Sequence, residues 1–497
     1  MLRKGEDMDP LTQGLSWLAP RLFKRGVDEL LLATMDPEPA QAALLKRIAK
    51  KLAGSAVARQ TGLVPGIELS SLKRLPITRS TAWTQQLERD AQGYPTFGNE
   101  RVLKFALTSG TSSTPKKFPI TESYLRNWQA FTKAMFVSEG RARGINLLGH
   151  IMGTKSLMLM ATPEVTPQRG TEPPEGYNSG MITKHTPWIL RRNYVPGNDV
   201  ISLPTWEEKF DLLSRQAPNW DLGGVAGLPA VIREFLTRMR ASTGRPLGDV
   251  WPHMRIILVG GGALTTELQE HVKELVGRGK LEFIETYFAT EGQFGHTLGD
   301  TSAGLVLNPL ATHFQFLDPR TQQRLGLHEV KAGFEGFVVV TTMGGLVNYQ
   351  IGDLIRVRSI SPVRIEIAGR EHEEISICGD KLSLKQCGQA LAQTLGAQTE
   401  PYFSVWVEER SLVFALDAGA RTAEVAKILD GALQAANPIY RENRKNDILA
   451  LPLRVEPLEK AHVDQYFQRN LDRGQFKGKR LFATRAAFEK EFYAGRS

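Results

Sequence analysis

Residues 255–292 read RIILVGGGALTTELQEHVKELVGRGKLEFIETYFATEG. An aliphatic run (255–259) meets three glycines, then apolar residues at helical spacing (265–276), then a second apolar run (282–287). A glycine turn from strand to helix, followed by another strand, is a β–α–β unit. Two strands joined through a crossover helix lie parallel in one sheet.

Working outward, further strand-like runs occur at 101–107, 157–161 and 336–341, and helix-like stretches at 39–51 and 229–240. The segment from Thr121, TESYLRNWQAFTKAMFVSEG, opens on an N-cap threonine and continues with helical periodicity. Strands alternating with helices predict an α/β architecture with a largely parallel sheet. Residues 163–198, rich in Pro, Gly, Thr and charge, read as a long irregular excursion. Residues 355–369, IRVRSISPVRIEIAG, read as two strands around a Ser-Pro turn. Beyond Gly369-Arg370 the pattern shortens: a helix at 384–395, strands at 402–407 and 412–416, and a helix at 422–435. A tail of roughly 125 residues is domain-sized. The expected division is therefore 1–369 and 370–497.

Composition narrows the class. The chain has 497 residues, too many for one compact core, and its 41% apolar and 23% charged content is that of a globular protein. Its net charge of +9 suits anionic ligands without identifying them. No basic stripe interleaved with aromatics points to nucleic acid. The two cysteines, Cys378 and Cys387, form neither a disulfide framework nor a CxxC metal pattern, which predicts reduced thiols and a cytoplasmic setting. The first twenty residues lack an apolar core of the secretory kind. No apolar run reaches the roughly 18 residues of a membrane span; residues 334–347 read instead as a buried strand and a turn. The nine histidines show no HxxxH or HExxH spacing, which argues against zinc.

Three motifs carry chemistry. Thr108-Ser109-Gly110-Thr111-Ser112-Ser113-Thr114-Pro115-Lys116 places six hydroxyl residues, one glycine and a lysine between a strand and a helix. Amides in such a turn point outward and a helix N-terminus adds partial positive charge, which suits a polyphosphate. It is not a Walker loop, and a Ser/Thr-rich surface turn with a solvated lysine accounts for it equally. Tyr287-Phe288-Ala289-Thr290-Glu291-Gly292 ends a strand, where α/β sheets bind ligands. Glu291 is placed to hold a magnesium ion, which takes one or two carboxylates together with phosphate oxygens; an ordinary strand-end acid is the plainer reading. Tyr349-Gln350-Ile351-Gly352-Asp353 follows another apolar strand. Asp353 is either a turn residue or an acceptor for ribose hydroxyls. His296 reads as a satisfied structural histidine rather than a base. Residues 225–231 read as the start of a core helix, and 259–263 as a tight strand-to-helix turn.

In order and context these motifs resemble those of the acyl acid amido synthetases of the auxin-responsive-promoter (Gretchen Hagen) family, within the adenylate-forming superfamily of acyl-CoA synthetases, adenylation domains and luciferases. The resemblance runs from about residue 40 to the C-terminus. It implies a large N-terminal adenylate-forming domain with mixed sheets and flanking helices, and a small mobile α+β C-terminal domain. It implies ATP and Mg2+ as cofactors, with Thr108, Ser109, Gly110, Thr111, Ser112 and Lys116 on the phosphates. Tyr287 and Thr290 would contact the adenylate, Glu291 the metal and Asp353 the ribose. Arg370 would lie at the hinge beside the nucleotide, and Lys477, in Gln475-Phe476-Lys477, would reach the phosphate. The implied partners are a small carboxylic acid and an amine or amino acid acceptor, with neither nucleic acid nor membrane involved. A CoA or carrier-protein thioester ligase and a non-catalytic nucleotide sensor are the alternatives. Gln350 departs from the arginine usual in this family, and Ala289-Thr290 from its serine pair.

Overall fold

The computed structural model describes residues 24–79, 100–107, 117–161, 163, 173–180, 186, 191–203, 205–371, 374–377, 380–396, 401–408, 411–417, 421–437, 440–441, 444, 452–470, 478–482 and 484–493. The β–α–β unit is present: Ile256–Gly260 pairs in parallel with Glu282–Ala289, and the helix Thr266–Val276, N-capped by Thr265, connects them. Leu222–Gly227, Lys155–Leu159 and Tyr194–Val195 extend the parallel run on the other side.

The sheet is not largely parallel. After Glu282–Ala289 the strands Gly292–His296 and Leu305–Leu307 return antiparallel, and the order continues through Val363–Arg370, Tyr349–Ile360, Glu335–Thr342, Thr312–Leu317 and Arg324–Gly326. These twelve strands form one mixed sheet, because tight turns after residue 289 replace crossover helices and adjacent strands must then reverse. The strand Leu222–Gly227 also corrects the helix expected from residue 225. All six of its residues are buried, and so short a small-residue run has no periodicity that separates strand from helix; the helix begins only at Pro229.

A separate three-stranded sheet has the order Lys117–Ile120, Lys104–Leu107, Glu175–Tyr177, so part of the expected irregular excursion is strand. The long helix Glu122–Arg143 follows. Thr121 caps it by accepting from the Tyr124 N–H at 3.3 Å, and Gly144, at φ +66°, ends it. Its inner face buries Trp128, Phe131 and Met135, with the Phe131 ring 5.2 Å from Phe288 and 5.7 Å from His296. Burying a side chain of this size stabilises by about 1.5–3 kcal/mol.

The chain divides into two compact units. One comprises the described residues up to Ile351 together with Ile355–Glu366; the other comprises Gly352–Leu354 and the described residues from Ile367 onward. The second unit has its own core: Leu391, Phe403, Phe414, Leu429 and Leu433 lie between the helices Leu384–Leu395 and Thr422–Ala436 and the sheet of Phe403–Glu408, Ser411–Leu416 and Arg454–Pro457. An aromatic group of Trp406, Tyr466, Phe488 and Phe492 forms a further buried cluster in this unit.

Candidate active site

The strand Glu282–Ala289 is gripped along its length. Thr286 Oγ1 donates to the Val259 carbonyl at 3.0 Å, which locks it to the strand before the glycine turn. That turn is closed: Gly261 has φ +72°, and a Cβ there would stand 2.8 Å from Leu228 Cδ2. The glycines at 260–262 therefore serve as a tight strand-to-helix turn.

Thr290 and Glu291 form the reversal between Ala289 and Gly292, which pair directly. A register shift between Tyr287 and Phe288 marks a bulge at this corner, a device that re-aims side chains beside functional sites. Tyr287 is buried with its ring 4.9 Å from Phe294, and Glu291 is only 8% exposed. A magnesium ion fits this donor chemistry, one carboxylate at a strand end with the remaining positions left for phosphate oxygens and water. Among the described residues no group of three His, Cys, Asp or Glu side chains could hold a metal alone.

His296 is structural. Its Nδ1 lies 3.0 Å from Glu139 Oε1 inside the first unit, and the same carboxylate accepts from Thr297 Oγ1 (2.8 Å), the Gly299 N–H (2.9 Å) and Arg143 Nε (3.2 Å). Burial pushes the Glu139 carboxyl up, but the His296, Gly299 and Arg143 donors outweigh it and hold it below its usual range. An ionised, fully buried carboxylate is tolerable only with such a set of donors.

Thr108, Ser109, Gly110, Thr111, Ser112 and Lys116 lie outside the described residues, as does Lys477. The flanks of the phosphate loop are described, and they correct its context. Leu107 pairs with Lys117 antiparallel, so the loop joins two strands and the helix starts one strand later, at Glu122. The N-terminal amides of that helix are therefore not part of the loop.

The second flank and the helix after it meet the other motifs within the first unit. The Tyr124 hydroxyl donates to the Thr290 carbonyl at 3.4 Å and accepts from Asn178 Nδ2 at 3.0 Å. Phe118, two residues beyond Lys116, stands edge-on to Tyr349 at 5.6 Å. The turn before Tyr349 is over-determined: Asn348, with φ +45°, receives a 2.8 Å bond from Gln315 and donates to the Leu72 carbonyl at 3.0 Å. Arg79 Nη2 donates to Gln350 Oε1 at 3.1 Å, so a guanidinium lies at that position although residue 350 is neutral.

Asp353 and Arg370 belong to the second unit. Arg370 Nε donates to Asp353 Oδ1 at 2.6 Å, and the Glu371 N–H donates to the Gly352 carbonyl at 2.6 Å. Gly352 has φ +96°, a left-handed conformation that suits glycine before this aspartate. Sequence reasoning did not pick out Tyr124, Asn178 or Arg79. Only the spacing of Tyr124, eight residues after Lys116 in the first turn of the helix, offered a signal.

Comparison with known proteins adds to this geometry. Two family models match the chain: the GH3 family N-terminal domain over residues 26–213 and the GH3 family central domain over residues 305–370. A probable indole-3-acetic acid-amido synthetase of Arabidopsis thaliana, GH3.1, is 22% identical over 280 residues, which are 51% of this chain and 47% of that protein. Its namesake in Oryza sativa subsp. japonica is 24% identical over 269 residues, 47% of this chain and 43% of that protein. The chain thus spans about half the length of the curated relatives it matches. Among solved structures, the GH3.15 acyl acid amido synthetase superposes with a TM-score of 0.74 at 17% identity, covering 94% of this chain and 95% of the other. A 2-hydroxyisobutyryl-CoA ligase in its postadenylation state gives 0.56 at 13% identity, over 92% of each chain. At these identities the likeness is one of fold.

Proposed function

We propose that this chain, which belongs to the GH3 family, uses ATP to convert a carboxylic acid to its acyl-adenylate and passes the acyl group to an amine or amino acid. The observation that carries the reading is the Tyr124–Thr290 contact. It joins the helix that follows the strand pair around the Ser/Thr-rich loop to the reversal bearing Glu291, in a chain that holds all three motifs in order.

The residue roles follow from chemistry. The hydroxyls and amides of Thr108, Ser109, Gly110, Thr111 and Ser112, with the Lys116 cation, suit the triphosphate. Tyr287 and Thr290 line the adenylate side, and Asp353 accepts from the ribose hydroxyls. Glu291 would hold magnesium, which when bound neutralises phosphate charge. Arg370 stands at the junction between an adenylation domain at 1–369, which binds ATP and acid, and a mobile domain at 370–497. Lys477 brings a cation to the α-phosphate.

A carboxylate is a poor electrophile, since its leaving group would be oxide. Attack of the acid oxygen on the α-phosphorus releases pyrophosphate and leaves AMP as the leaving group of a mixed anhydride. Negative charge gathers in that transition state, so fixed cations and donors matter more than a protein nucleophile. The amine then attacks the acyl carbon, AMP departs, and a base or water takes the proton. Water must be kept out meanwhile, because it hydrolyses the anhydride. The cytoplasm is the proposed setting; among the described residues no helix is long and apolar enough to cross a membrane.

The test is acid-dependent ATP–pyrophosphate exchange across a panel of acids, followed by incubation with amino acids or CoA. Exchange and amide formation are expected. Thioester without amide would move the chain to the thiol-acceptor class, and ATP binding without exchange for any acid would make it a nucleotide sensor.

A further inference from the structure

Three buried side chains, each with one polar atom left unpaired, gather about the first turns of the helix Glu122–Arg143. Tyr124 Oη gives its single proton to the Thr290 carbonyl at 3.4 Å and accepts from Asn178 Nδ2 at 3.0 Å. The other end of the Asn178 amide, Oδ1, is buried with no hydrogen-bond partner among the described residues. Gln293 Oε1 accepts from Asn127 Nδ2 at 3.4 Å. The Gln293 amide also faces the Tyr124 hydroxyl and helps to lower its pKa, but its Nε2 completes no hydrogen bond. Trp128 lies one turn beyond Tyr124 on the same helix face. Its ring stands 6.5 Å from Phe288, which pairs directly with Gln293, and its Nε1 is likewise buried and unpaired.

Asn178, Gln293 and Trp128 are only 9%, 2% and 8% exposed. Native proteins rarely leave buried polar atoms without partners, because each unmade bond destabilises the fold. Here one acceptor and two donors stay open beside the reversal that carries Glu291, whose charge is near enough to add to burial in raising the Tyr124 pKa. A second carboxylate would face that charge and the Asn178 oxygen, and an ammonium would meet two N–H donors. A hydroxyl accepts from Gln293 or Trp128 and donates to Asn178, so it complements the set.

We infer that this cluster recognises a hydroxyl on the substrate acid, close to its carboxyl group, and that the chain selects hydroxylated carboxylic acids over their deoxy analogues. The inference rests on the proposed function, which puts the reacting carboxyl beside the adenylate contacts Tyr287 and Thr290. In the complex the hydroxyl donates to Asn178 Oδ1 and accepts from Gln293 Nε2, with Trp128 Nε1 as a second donor. A deoxy acid leaves these atoms unpaired. Sites built around a substrate hydroxyl reject the analogue that lacks it strongly.

Acid-dependent ATP–pyrophosphate exchange by the full chain, run on matched pairs, reads this directly. Suitable pairs are 2-hydroxybutyrate and butyrate, 3-hydroxybutyrate and butyrate, mandelate and phenylacetate, and 2-hydroxyoctanoate and octanoate. In at least one pair kcat/KM should favour the hydroxylated acid by about a hundredfold or more. Gln293→Met and Asn178→Leu, close in shape but without the polar atoms, should each lower that ratio by about tenfold. A general disturbance of the site lowers both members of a pair alike and leaves the ratio unmoved. If either variant fails to fold by circular dichroism, the wild-type pairs still decide. Exchange with ratios near one in every pair overturns this inference alone and leaves the cluster to buried water, as does a wild-type ratio kept in the folded variants. No exchange with any acid removes the ligase reading and this inference with it.

Discussion

Arg370 Nε donates to Asp353 Oδ1 at 2.6 Å, with the aspartate buried and the arginine 43% exposed. The side chain beside the expected hinge is thus bonded to the carboxylate assigned to the ribose. A carboxylate offers about four acceptor sites, so the arginine bond and a ribose diol are compatible. Asp353→Ala is expected to raise the KM for ATP by about a hundredfold or more in the exchange assay, the scale of losing two charge-assisted bonds. Arg370→Ala should raise it less, by letting the carboxylate turn. A wild-type KM in Asp353→Ala would end the ribose assignment.

Glu291→Gln and Lys477→Ala should each lower acid-dependent exchange by about a hundredfold or more: Lys477 opposes the negative charge of the transition state directly, and Glu291 would hold the magnesium ion that does the same. Pyrophosphate release under saturating ATP and acid measures the chemistry apart from binding. Near-normal exchange in Glu291→Gln would return that residue to its plainer reading as a strand-end acid.

Glu139 is predicted to matter for folding rather than chemistry. It is fully buried and receives bonds from Arg143, Thr297 and Gly299 beside His296. Removing one partner of a buried charged set costs about 3–5 kcal/mol. Urea unfolding of Glu139→Ala should therefore show a midpoint far below that of the wild type; a loss under about 1 kcal/mol would mean the network contributes little.

Stability should also fall with acid through His313, which is 3% exposed on the strand Thr312–Leu317. Burial, with the His328 and Lys73 charges nearby, pushes its pKa down to about 3. The folded state holds the ring neutral while an unfolded chain protonates it near pH 6.5. The contribution is thus fully present above about pH 6.5 and is lost at about 1.4 kcal/mol per unit as pH falls toward 3. Unfolding midpoints of wild type and His313→Gln between pH 7 and 4 check this: the wild-type curve should be the steeper, and parallel curves would exclude it.

Caps and periodicity made much of the secondary structure legible. Thr121, read as an N-cap, accepts from the N–H three residues on, and in the structure Thr265 and Ser383 do the same at the starts of the helices expected at 265–276 and 384–395. The helix at 384–395 and the two strands around the cis Ser361-Pro362 turn likewise stand where the sequence placed them. What failed was non-local. Residues 222–227 are small and uniformly buried, so nothing local marks them as a strand. The phosphate loop was set against a helix because a four-residue strand, Lys117–Ile120, is too short to show alternation.

The order of three polar motifs, their glycines and the β–α–β pattern are properties of the chain itself, since caps, turns and periodicity act over a few residues. The mixed sheet, the bond from Tyr124 to Thr290, Arg79 on Gln350 and the burial of Glu139 beside His296 were decided only by folding. Each brings together residues far apart in sequence. Pairing at that range depends on which surfaces pack and which buried polar groups find partners, and no local stretch of sequence encodes it.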